Sequence, residues 1–539
     1  MKAPAVNRRG FLRRGLAAAA LAWSFTPLAA SPAQARAAAT LRGTRDLNPE
    51  ELTIADLQHA FQTGQHTARS IAELYLSRIR QLDKRGPELR AVVEVNPDAL
   101  AVASALDAER KTRGPRGPLH GVPVLLKDNL DTADRMGTTA GSLALVGVKR
   151  LQDAQVVARL RQAGAVLLGK TNLSEWANFR SSRSSSGWSA RGGQTRNPYA
   201  LDRNPSGSSS GSAVAVAANL TCVAIGTETD GSIVSPSSAN SIVGIKPTLG
   251  LVSQAGIIPI AHSQDTAGPM ARTVRDAAIL LSAIAEDPTP AGARVDFTRF
   301  LDPRGLRGAR LGVARRFFGF HERVDRLMAR AMDEMKRLGA EIIDPADLPS
   351  LAQLGNAEME VLLHEFKTDL NRYLAALGPA TSVRSLTELI AFNERHRALE
   401  LPYFGQELFL QAETKGSLGS RRYQEALARC RRLTRTEGID AVMEKHRLDA
   451  FIAPTEGPAW PIDLVGGDHN LGGCSTPAAV AGYPHITAPA GYVRGLPVGL
   501  SFFGRARSEP LLLKLAYAFE QATRARRAPR FAPAADLAS

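Results

Sequence analysis

Residues 204–212 read Asn-Pro-Ser-Gly-Ser-Ser-Ser-Gly-Ser and lead directly into a stretch of small, mostly apolar residues, Ser212–Asn219. We predict that this stretch is a helix and that Cys222–Ile225, which follows it, is a buried strand. Two similar short apolar runs, Val122–Leu126 and Ala165–Leu168, precede the loop, and a stretch with helical periodicity separates them. Short buried strands that alternate with helices are typical of an α/β protein.

The same alternation extends toward both ends of the chain. Thr53 and Asp56 resemble a helix-capping pair before an apolar-periodic stretch. Strand-and-turn character returns at Ala450–Pro454 and Ile486–Phe503, whereas residues 305–440 are richer in charged, helix-like periodicity and poorer in glycine. We interpret 305–440 as a helical insertion. If both ends of the chain share one sheet, residues 38–539 form a single large domain.

The amino-acid composition is that of an ordinary globular protein. Of the 539 residues, 44% are hydrophobic and 22% are charged, which excludes a disordered, collagen-like or coiled-coil chain. The three cysteines are too few and too scattered for a disulfide scaffold or a CxxC zinc site. The ten histidines include no HExxH motif or comparable ligand spacing. We therefore expect no metal site built from these residues.

The net charge of +15 raises the question of nucleic-acid binding. Residues 1–40 carry six basic residues and no acidic residue, and four more arginines lie within residues 524–530. The remaining excess is small for a chain of this length, and the sequence has no basic helix with interleaved aromatic residues. We therefore expect that the protein binds no nucleic acid.

Residues 1–37 are typical of an export signal. A twin-arginine motif at residues 8–9 is followed by the apolar run Leu16–Trp23, and two small-x-small cleavage sites end at Ala35 and Ala37. The apolar run is too short to span a bilayer, and no later stretch reaches about 18 apolar residues. We predict export by the twin-arginine route, cleavage after one of these alanines, and a periplasmic or secreted mature protein without stable membrane association.

Two common interpretations of the Gly/Ser-rich loop, a flexible linker and a nucleophile elbow, have to be considered first. Such a run is usually a flexible linker, but this one lies among predicted buried strands, where no linker is expected. Gly207–Gly211 also matches G-x-S-x-G, the nucleophile elbow of α/β-hydrolases, with Ser209 at its centre. That elbow needs a buried strand directly before it, whereas residues 196–206 are polar and contain two prolines. We therefore regard the match as accidental.

A lysine and a serine near this loop point to covalent catalysis. Lys127 directly follows the predicted strand Val122–Leu126, where burial would favour a neutral amine, a candidate base. A lone lysine at a strand end is usually a surface residue, so this interpretation depends on the serine loops. Ser232 begins the segment Ser232–Asn240 after a strand and a turn. Backbone N–H groups at a helix N-terminus can stabilise an oxyanion, and Gly231 permits close approach of a substrate.

Together these segments resemble the amidase signature family. The family motif runs from a lysine after an apolar strand, here in Gly121–Asn129, through a Gly/Ser-rich loop, here Asn204–Ser212, to a Gly-Ser-Ile loop, here Gly231–Ile233. The resemblance covers most of the chain. It implies a large mixed β-sheet covered by helices on both faces, and an enzyme that hydrolyses amides without metal or cofactor. Further matching segments are Asp153–Glu175, Gln194–Pro198, Gln264–Met270 and Gly495–Leu500.

The resemblance also implies roles for individual residues. Ser232 is the expected nucleophile and Lys127 the neutral base. Ser208, which follows a cis peptide bond from Gly207, is expected to bridge the two. Ser209 is expected to support this relay by hydrogen bonding. The backbone N–H groups expected to form the oxyanion hole are those of Thr229, Asp230, Gly231 and Ser232.

The sequence departs from the commonest family pattern at four positions. At three of them the family usually has glycine, and at the fourth it usually has arginine. The oxyanion hole needs only the N–H of Asp230, so its carboxylate is available to contact substrate. Loss of the arginine argues against the glutamine-handling amidotransferase branch. The loop Thr227–Ile233, together with residues 186–193, looks most like the peptide amidase branch. The departing residues are Ser206, Ser210 and Asp230 in place of glycine, and Val234 in place of arginine.

We therefore expect an amide hydrolase that releases ammonia from carboxamides, above all C-terminal peptide amides, through a Ser-Ser-Lys triad and an acyl-enzyme. The alternative is a broad-range aliphatic or aryl-acyl amidase of the same family. Two other functions are less consistent with the sequence. The leader and Val234 argue against a subunit of a cytosolic amidotransferase, and the intact lysine and serines argue against a non-catalytic exported binding protein. The expected partner is a small-molecule or peptide amide, and the expected state is a monomer or homodimer.

Overall fold

The structure is a computed structural model that describes residues 48–286 and 295–536. The leader predicted at residues 1–37 and both of its cleavage sites lie outside these ranges. The described residues belong to one compact unit, which begins at Asn48.

An 11-stranded mixed sheet lies at the centre of this unit, and a two-stranded hairpin accompanies it. The strands are β1 (Val92–Val95), β2 (Pro123–Lys127), β3 (Val166–Thr171), β4 (Trp188–Ser189), β5 (Gly193–Gln194), β6 (Val223–Glu228), β7 (Val243–Lys246), β8 (Thr266–Ala271), β9 (Arg310–Val313), β10 (Glu341–Ile343), β11 (Ala450–Pro454), β12 (His485–Val493) and β13 (Leu496–Phe503). Across the large sheet their order is β1-β3-β2-β6-β8-β7-β12-β13-β11-β9-β10, and β4 pairs with β5. Strand β2 pairs in parallel with both β3 and β6, whereas β6 and β8 are antiparallel.

Helices follow most of these strands. They are α1 (Ile54–Gln62), α2 (Ala68–Arg78), α3 (Ala99–Arg113), α4 (Gln155–Gln162), α5 (Ser210–Ala217), α6 (Val234–Ala239), α7 (Val274–Ile284), α8 (Glu322–Arg337), α9 (Ala357–Ala376), α10 (Leu386–Arg395), α11 (Arg397–Glu400), α12 (Glu407–Glu413), α13 (Arg421–Arg431), α14 (Asp440–His446), α15 (Thr476–Ala481) and α16 (Glu509–Thr523). The predicted cap of α1 is confirmed, because the Thr53 side chain accepts from the N–H of Asp56 and the Asp56 carboxylate accepts from the N–H of Thr53.

The burial pattern explains the short apolar runs of the sequence. Every residue of β2, β3, β6 and β8 is buried. A strand that is buried along its whole length has both faces covered, and its sequence then lacks polar alternation. The predicted α/β class, with a large mixed sheet under helices on both faces, is confirmed. Both ends of the chain contribute to this sheet, since β12 pairs with β7.

The segment 305–440 is mostly helical, but it also extends the sheet. It contains α8 to α13, and its strands β9 and β10 form one edge, where β9 pairs in parallel with β11. The segment is therefore built into the core of the protein and is more than a helical insertion. The two strands have four and three residues, which is too short for a clear period-2 pattern.

A buried arginine joins the segment before β4 to this helical region. Arg180 is fully buried, pairs with Glu175, and donates to the main-chain oxygen of Glu400. Its guanidinium also lies over the ring of Phe404, 4.3 Å from the centroid. Both hydrogen bonds use Nη1, whereas Nε and Nη2 are buried without a hydrogen-bond partner among the described residues. The stacking on Phe404 therefore offsets only part of the desolvation of this guanidinium.

Replacing this arginine is expected to be costly. In Arg180→Met, Glu175 loses its buried cation, so we expect a loss of about 3–5 kcal/mol in the free energy of unfolding. Calorimetric melting would show this as a lower Tm. As a control, Arg421→Met removes an exposed pair with Glu425, and its Tm should equal that of the wild type. Equal Tm values for the two variants would contradict the structural role of Arg180.

Two further features of the described residues concern disulfide bonds and membrane spans. Cys222, Cys430 and Cys474 are buried and unpaired with one another. In the part of the chain that the structure describes, no helix combines the length and the apolar character needed to cross a lipid bilayer.

Candidate active site

Lys127 is the last residue of β2 and is fully buried. Its Nζ lies 2.7 Å from Ser208 Oγ, 3.0 Å from Thr227 Oγ1 and 3.2 Å from the Thr227 main-chain oxygen. Burial lowers the pKa of the Lys127 ammonium to about 7, although the nearby carboxylates of Asp265 and Glu228 oppose this effect. At neutral pH a large fraction of this side chain is therefore the free amine, which can accept a proton.

The Gly/Ser-rich loop brings Ser208 to this lysine. The Gly207–Ser208 peptide bond is cis, as the family resemblance implies. A Cβ atom on Gly207 would overlap Ser174 Oγ and lie 3.1 Å from Ser186 Oγ, so the loop can pack here only with glycine. The loop ends where α5 begins at Ser210, whose hydroxyl donates to the main-chain oxygen of Ser206 at 2.7 Å.

Ser209 is the residue that links the two serine loops. Its hydroxyl donates to the main-chain oxygen of Thr227 at 3.0 Å and accepts from the Thr227 N–H at 3.2 Å. Its own N–H donates to the main-chain oxygen of Ser232 at 3.1 Å. The residues before Ser209 form a loop and not the strand that a nucleophile elbow requires. Ser209 is fully buried, and its hydroxyl contacts main-chain atoms of β6.

Residues 229–232 connect β6 to the short helix α6. The Glu228 carboxylate accepts from the N–H groups of Ile233 and Val234, at 2.7 and 3.0 Å, and so caps the start of α6. Gly231 has a φ of +80°, and a Cβ atom there would meet Ser235 Oγ at 3.0 Å. Within residues 48–286 and 295–536, no hydrogen bond to another protein group uses the N–H of Asp230, Gly231 or Ser232.

A cavity of about 540 Å³ opens on this loop. Its lining includes Gly207 from one serine loop, and Ser232 from the other, which is 8% exposed. The contacts described above join Lys127 to Ser208 and the backbone of Ser209 to Ser232. The structure thus gathers all seven predicted site residues around one end of β2 and β6. Those on the cavity wall are Thr229, Asp230, Gly231 and Ser232.

Two residues that fix this arrangement were not identified from the sequence. Thr227 bonds both Lys127 and Ser209, and its hydroxyl also accepts from Asn129 Nδ2 at 3.0 Å. Asp265 accepts from the Thr229 hydroxyl at 2.6 Å, and its other oxygen caps residues 260–261. Burial raises the pKa of Asp265 to about 6. Both residues lie within segments that match the family pattern, which is the only signal that could have indicated them.

One group of potential metal ligands occurs among the described residues, and it shares no member with the predicted site residues. Atoms of His262, Glu365 and Asp369 lie within 4.8 Å of one another. His262 Nδ1 is 2.7 Å from Asp369 Oδ2, and the Tyr423 hydroxyl donates to Glu365 at 2.7 Å. The hydrogen bond to Asp369 raises the pKa of His262. These atoms satisfy one another, and the group fits a charged hydrogen-bond cluster.

Comparison with known proteins adds independent information to this geometry. The model of the Amidase family matches residues 70–513. A probable amidase of Arabidopsis thaliana is 43% identical over 511 residues, 92% of this chain and 94% of the relative. A glutamyl-tRNA(Gln) amidotransferase subunit of Symbiobacterium thermophilum is 35% identical over 491 residues, 88% of this chain and 97% of that relative.

The solved structures agree. The native peptide amidase of Stenotrophomonas maltophilia superposes with a TM-score of 0.85 and 53% identity, covering 89% of this chain and 99% of that one. The family model spans most of the chain, and the fold and the sequence relatives lead to the same assignment. The chain belongs to the amidase family and is a hydrolase that acts on the carbon–nitrogen bond of amides.

Proposed function

We propose that this protein hydrolyses carboxamides to a carboxylate and ammonia, with C-terminal peptide amides as its main substrates. Ser232 acts as the nucleophile, Ser208 as the proton relay and Lys127 as the base. The observation that carries the proposal is the 2.7 Å contact between Lys127 Nζ and Ser208 Oγ, in a fully buried position beside the cavity that Ser232 lines.

The relay follows from the hydrogen-bonding capacity of a neutral amine. An uncharged lysine has two N–H donors and one lone pair, and Thr227 offers two acceptors to this Nζ, its main-chain and side-chain oxygens. With both N–H groups donated to Thr227, the lone pair faces Ser208 and accepts its hydroxyl proton. Ser208 in turn takes the proton of Ser232 as the Ser232 Oγ forms its bond to the amide carbon.

The charge that develops on the amide oxygen needs donors at the cavity wall. The N–H groups of residues 229–232 are proposed to hold it, because the backbone there lines the cavity and Glu228 already serves the next two N–H groups. Such fixed donors stabilise the tetrahedral state without reorganisation. The carbon–nitrogen bond then breaks as Lys127 returns the proton to the leaving nitrogen, and ammonia departs.

Water completes the cycle. Lys127 accepts a proton from water through Ser208 as the water oxygen attacks the acyl carbon. The bond to Ser232 Oγ breaks, the serine regains its proton from the lysine, and the carboxylic acid leaves. The net reaction consumes one water for each amide. No residue outside Lys127, Ser208 and Ser232 has to transfer a proton.

The substrate class is supported by the pattern of similarity. The chain is 53% identical to a protein whose printed name is peptide amidase and 35% identical to the amidotransferase component. Position 234, where the family usually has arginine, is a valine in α6. Apolar side chains of Ile260, Leu362 and Leu408 line the same cavity and are available to pack against the body of a peptide.

A substrate panel tests the proposed function. Ammonia release is measured from C-terminal peptide amides, the matching free peptides, simple aliphatic and aryl amides, and esters. We expect the highest kcat/KM for peptide amides and no ammonia from free peptides. Equal or higher kcat/KM for simple aliphatic or aryl amides would favour the broad-range alternative, and turnover of none would contradict an enzymatic role.

The pH dependence of the reaction should follow the protonation state of Lys127. The base must be neutral, and its pKa is lowered to about 7, so kcat/KM for a neutral peptide amide should rise with pH through about 7 and then level off. Below that pH the amine carries a proton and cannot accept another. A profile measured from pH 5 to 9 that stays flat across pH 7 would contradict the assignment of Lys127 as the base.

We also propose that residues 1–37 direct export to the periplasm by the twin-arginine route. The proposal rests on the order of twin arginines, apolar run and small-residue cleavage sites. Fractionation of cells that express the full chain should find the processed enzyme in the periplasm. Replacement of Arg8 and Arg9 by lysine should retain the unprocessed protein in the cytoplasm. Export that is unaffected by this change would contradict the route.

A further inference from the structure

The cavity beside Ser232 has a strongly acidic lining in a protein whose net charge is +15. Four carboxyl side chains contribute to the cavity wall, and none of the lining residues is a lysine, arginine or histidine. Acidic residues are common on protein surfaces, so their number alone indicates no ligand. The hydrogen bonds that each carboxyl group already forms show which of the four groups can still bind a ligand. The four are Asp230, Glu358, Glu456 and Asp468.

Asp468 is fully committed to holding the protein together. Its oxygens accept from the N–H of Ser186 at 3.0 and 3.1 Å, from Asn204 Nδ2 at 3.1 Å and from Trp460 Nε1 at 3.1 Å. Three donors, one of them shared between both oxygens, occupy most of the acceptor capacity of this carboxylate. This residue fixes the loop around Trp460 and has little capacity left for a ligand.

Glu456 has one oxygen without a partner. The residue is 2% exposed, and its Oε1 accepts from Asn470 Nδ2 at 2.7 Å. Its Oε2 is buried and has no donor at normal hydrogen-bond geometry among the described residues, although the side chains of Ser206 and Ser235 lie near this carboxyl group and act to lower its pKa. A buried carboxyl oxygen that lines a cavity and lacks a donor costs free energy unless a ligand or solvent supplies one. Burial raises the pKa of Glu456 to about 8, so this group is mainly neutral at pH 7.

Asp230 and Glu358 form a second, more open pair of carboxyl groups. Asp230 Oδ2 accepts from Thr476 Oγ1 at 2.7 Å, while its Oδ1 accepts from no N–H or hydroxyl group among the described residues. The carboxyl groups of Asp230 and Glu358 are close enough to share a hydrogen bond when Glu358 is protonated. Glu358, in α9, accepts from Gln264 Nε2 at 3.0 Å. Burial, and then the neighbouring Asp230 carboxylate, raise the pKa of Glu358 well above its usual range. The two groups therefore repel one another when both are charged, and a cation between them would relieve that repulsion.

Asp230 also lies two residues before the proposed nucleophile. A group bound at its carboxylate is consequently part of, or directly attached to, the molecule whose amide reaches Ser232. The nearest basic side chain of the mechanism, Lys127, bonds Ser208 and Thr227 behind the loop. The buried Lys246 interacts electrostatically with Asp230, but its Nζ donates to the main-chain oxygens of Pro247 and Tyr483. Among the described residues no basic side chain forms an ion pair with Asp230, so a cation in direct contact with its carboxylate would come from the substrate.

We infer that this cavity selects carboxamides that carry a positive charge close to the amide, with the ammonium held by Asp230 and Glu358. The inference rests on the proposed function and names its substrate class. Two sources supply the same chemistry: the α-ammonium group of an unblocked amino-acid amide, and the side-chain ammonium of a C-terminal lysinamide. Apolar residues on the rest of the wall accept the uncharged part of either molecule.

The expected effect is large enough to measure. A hydrogen bond from a charged donor to a carboxylate contributes roughly 1.5–3 kcal/mol, which corresponds to about a 10- to 100-fold gain in kcat/KM over a neutral compound of similar size. A substrate with a negative charge at the same position is repelled by the carboxylate, so its kcat/KM should be lower than that of the neutral compound. We therefore expect the order cationic, neutral, anionic.

Four amides separate the two sources in the wild-type enzyme. Acetyl-norleucinamide is the neutral reference, acetyl-lysinamide adds the side-chain ammonium, norleucinamide exposes the α-ammonium, and acetyl-isoglutamine adds a negative charge. A gain of at least about tenfold for either cationic amide supports the inference and identifies the source. Equal kcat/KM for the neutral and both cationic amides would overturn it while leaving the proposed function intact. Hydrolysis of none would overturn the proposed function itself.

A matched pair of variants then tests the residues. Glu358→Gln should reduce the ratio of kcat/KM between the favoured cationic amide and acetyl-norleucinamide by about tenfold. Glu360→Gln makes the same change in net charge on the same helix, but Glu360 pairs with Lys415 and Arg422. Its ratio should equal that of the wild type. An unchanged ratio in Glu358→Gln would overturn the assignment, and the wild-type series decides the inference if that variant does not fold.

Discussion

Ser232→Ala is expected to lower kcat for peptide amide hydrolysis by about four to six orders of magnitude. The variant keeps the cavity and the backbone N–H groups of residues 229–232, but it has no oxygen to form the acyl-enzyme. Catalytic groups that act as a unit lose nearly all of their joint effect when one is removed, and binding and oxyanion stabilisation account for what remains. Ammonia release in single-turnover and steady-state assays measures the loss.

A matched serine controls for the loss of a buried hydroxyl. Ser212→Ala removes a hydroxyl from α5 that contacts Thr171 Oγ1 at 2.7 Å and the Ile225 main-chain oxygen at 3.0 Å, and it should retain turnover close to the wild type. Near-wild-type hydrolysis by Ser232→Ala would show that Ser232 is not the nucleophile.

Lys127→Met is expected to reduce kcat by at least about three orders of magnitude. Methionine fills a similar volume without an amine, so Ser208 loses the group that accepts its proton. The double variant Lys127→Met with Ser208→Ala should be no less active than the single variants, because both belong to one relay. Independent, multiplying losses would contradict a shared relay.

The same substitution makes a separate prediction for stability. A fully buried amine is costly to desolvate, which is why the pKa of Lys127 is lowered. Methionine removes that cost, and each Thr227 oxygen keeps a second donor, Ser209 Oγ for the main-chain oxygen and Asn129 Nδ2 for the hydroxyl, so the melting temperature should change little. An inactive variant with wild-type Tm would separate the catalytic role of Lys127 from a structural one.

The core of the fold could be predicted because its strands are buried on both faces. The apolar run at Val122–Leu126 corresponds to β2, shifted by one residue, and Ala450–Pro454 matches β11 without change. The predicted and observed ends of a strand differ most where polar residues continue the strand. Strand β6 runs on to Glu228 because Thr227 and Glu228 continue its pairing with β8, and no local pattern indicates such a pairing.

The edge of the sheet could not be predicted for a different reason. Strands β9 and β10 lie within a segment dominated by helical periodicity, and the pairing of β9 with β11 joins residues more than 100 positions apart. A similarly large separation in sequence explains why Glu358 was not predicted as a site residue. It stands on the partly apolar helix α9 without a recognisable motif, and only the fold brings it to Asp230, 128 positions earlier in the chain.

The site itself was predictable to the extent that its residues follow one another in ordered motifs. Lys127, Ser208 and the 229–232 loop come from three segments whose order and composition carry the family resemblance. The sequence alone could not indicate that Thr227 provides two acceptors to Lys127 Nζ. Those contacts determine which face of the amine is left for Ser208, and they depend on how β2 and β6 pair.

Covalent labelling with a fluorophosphonate, followed by peptide mass spectrometry, tests the central claim most directly. We expect a single adduct on Ser232, with a labelling rate that rises with pH through about 7 and falls by orders of magnitude in Lys127→Met. An adduct on Ser209, or a labelling rate at Ser232 that is the same in Lys127→Met as in the wild type, would contradict it.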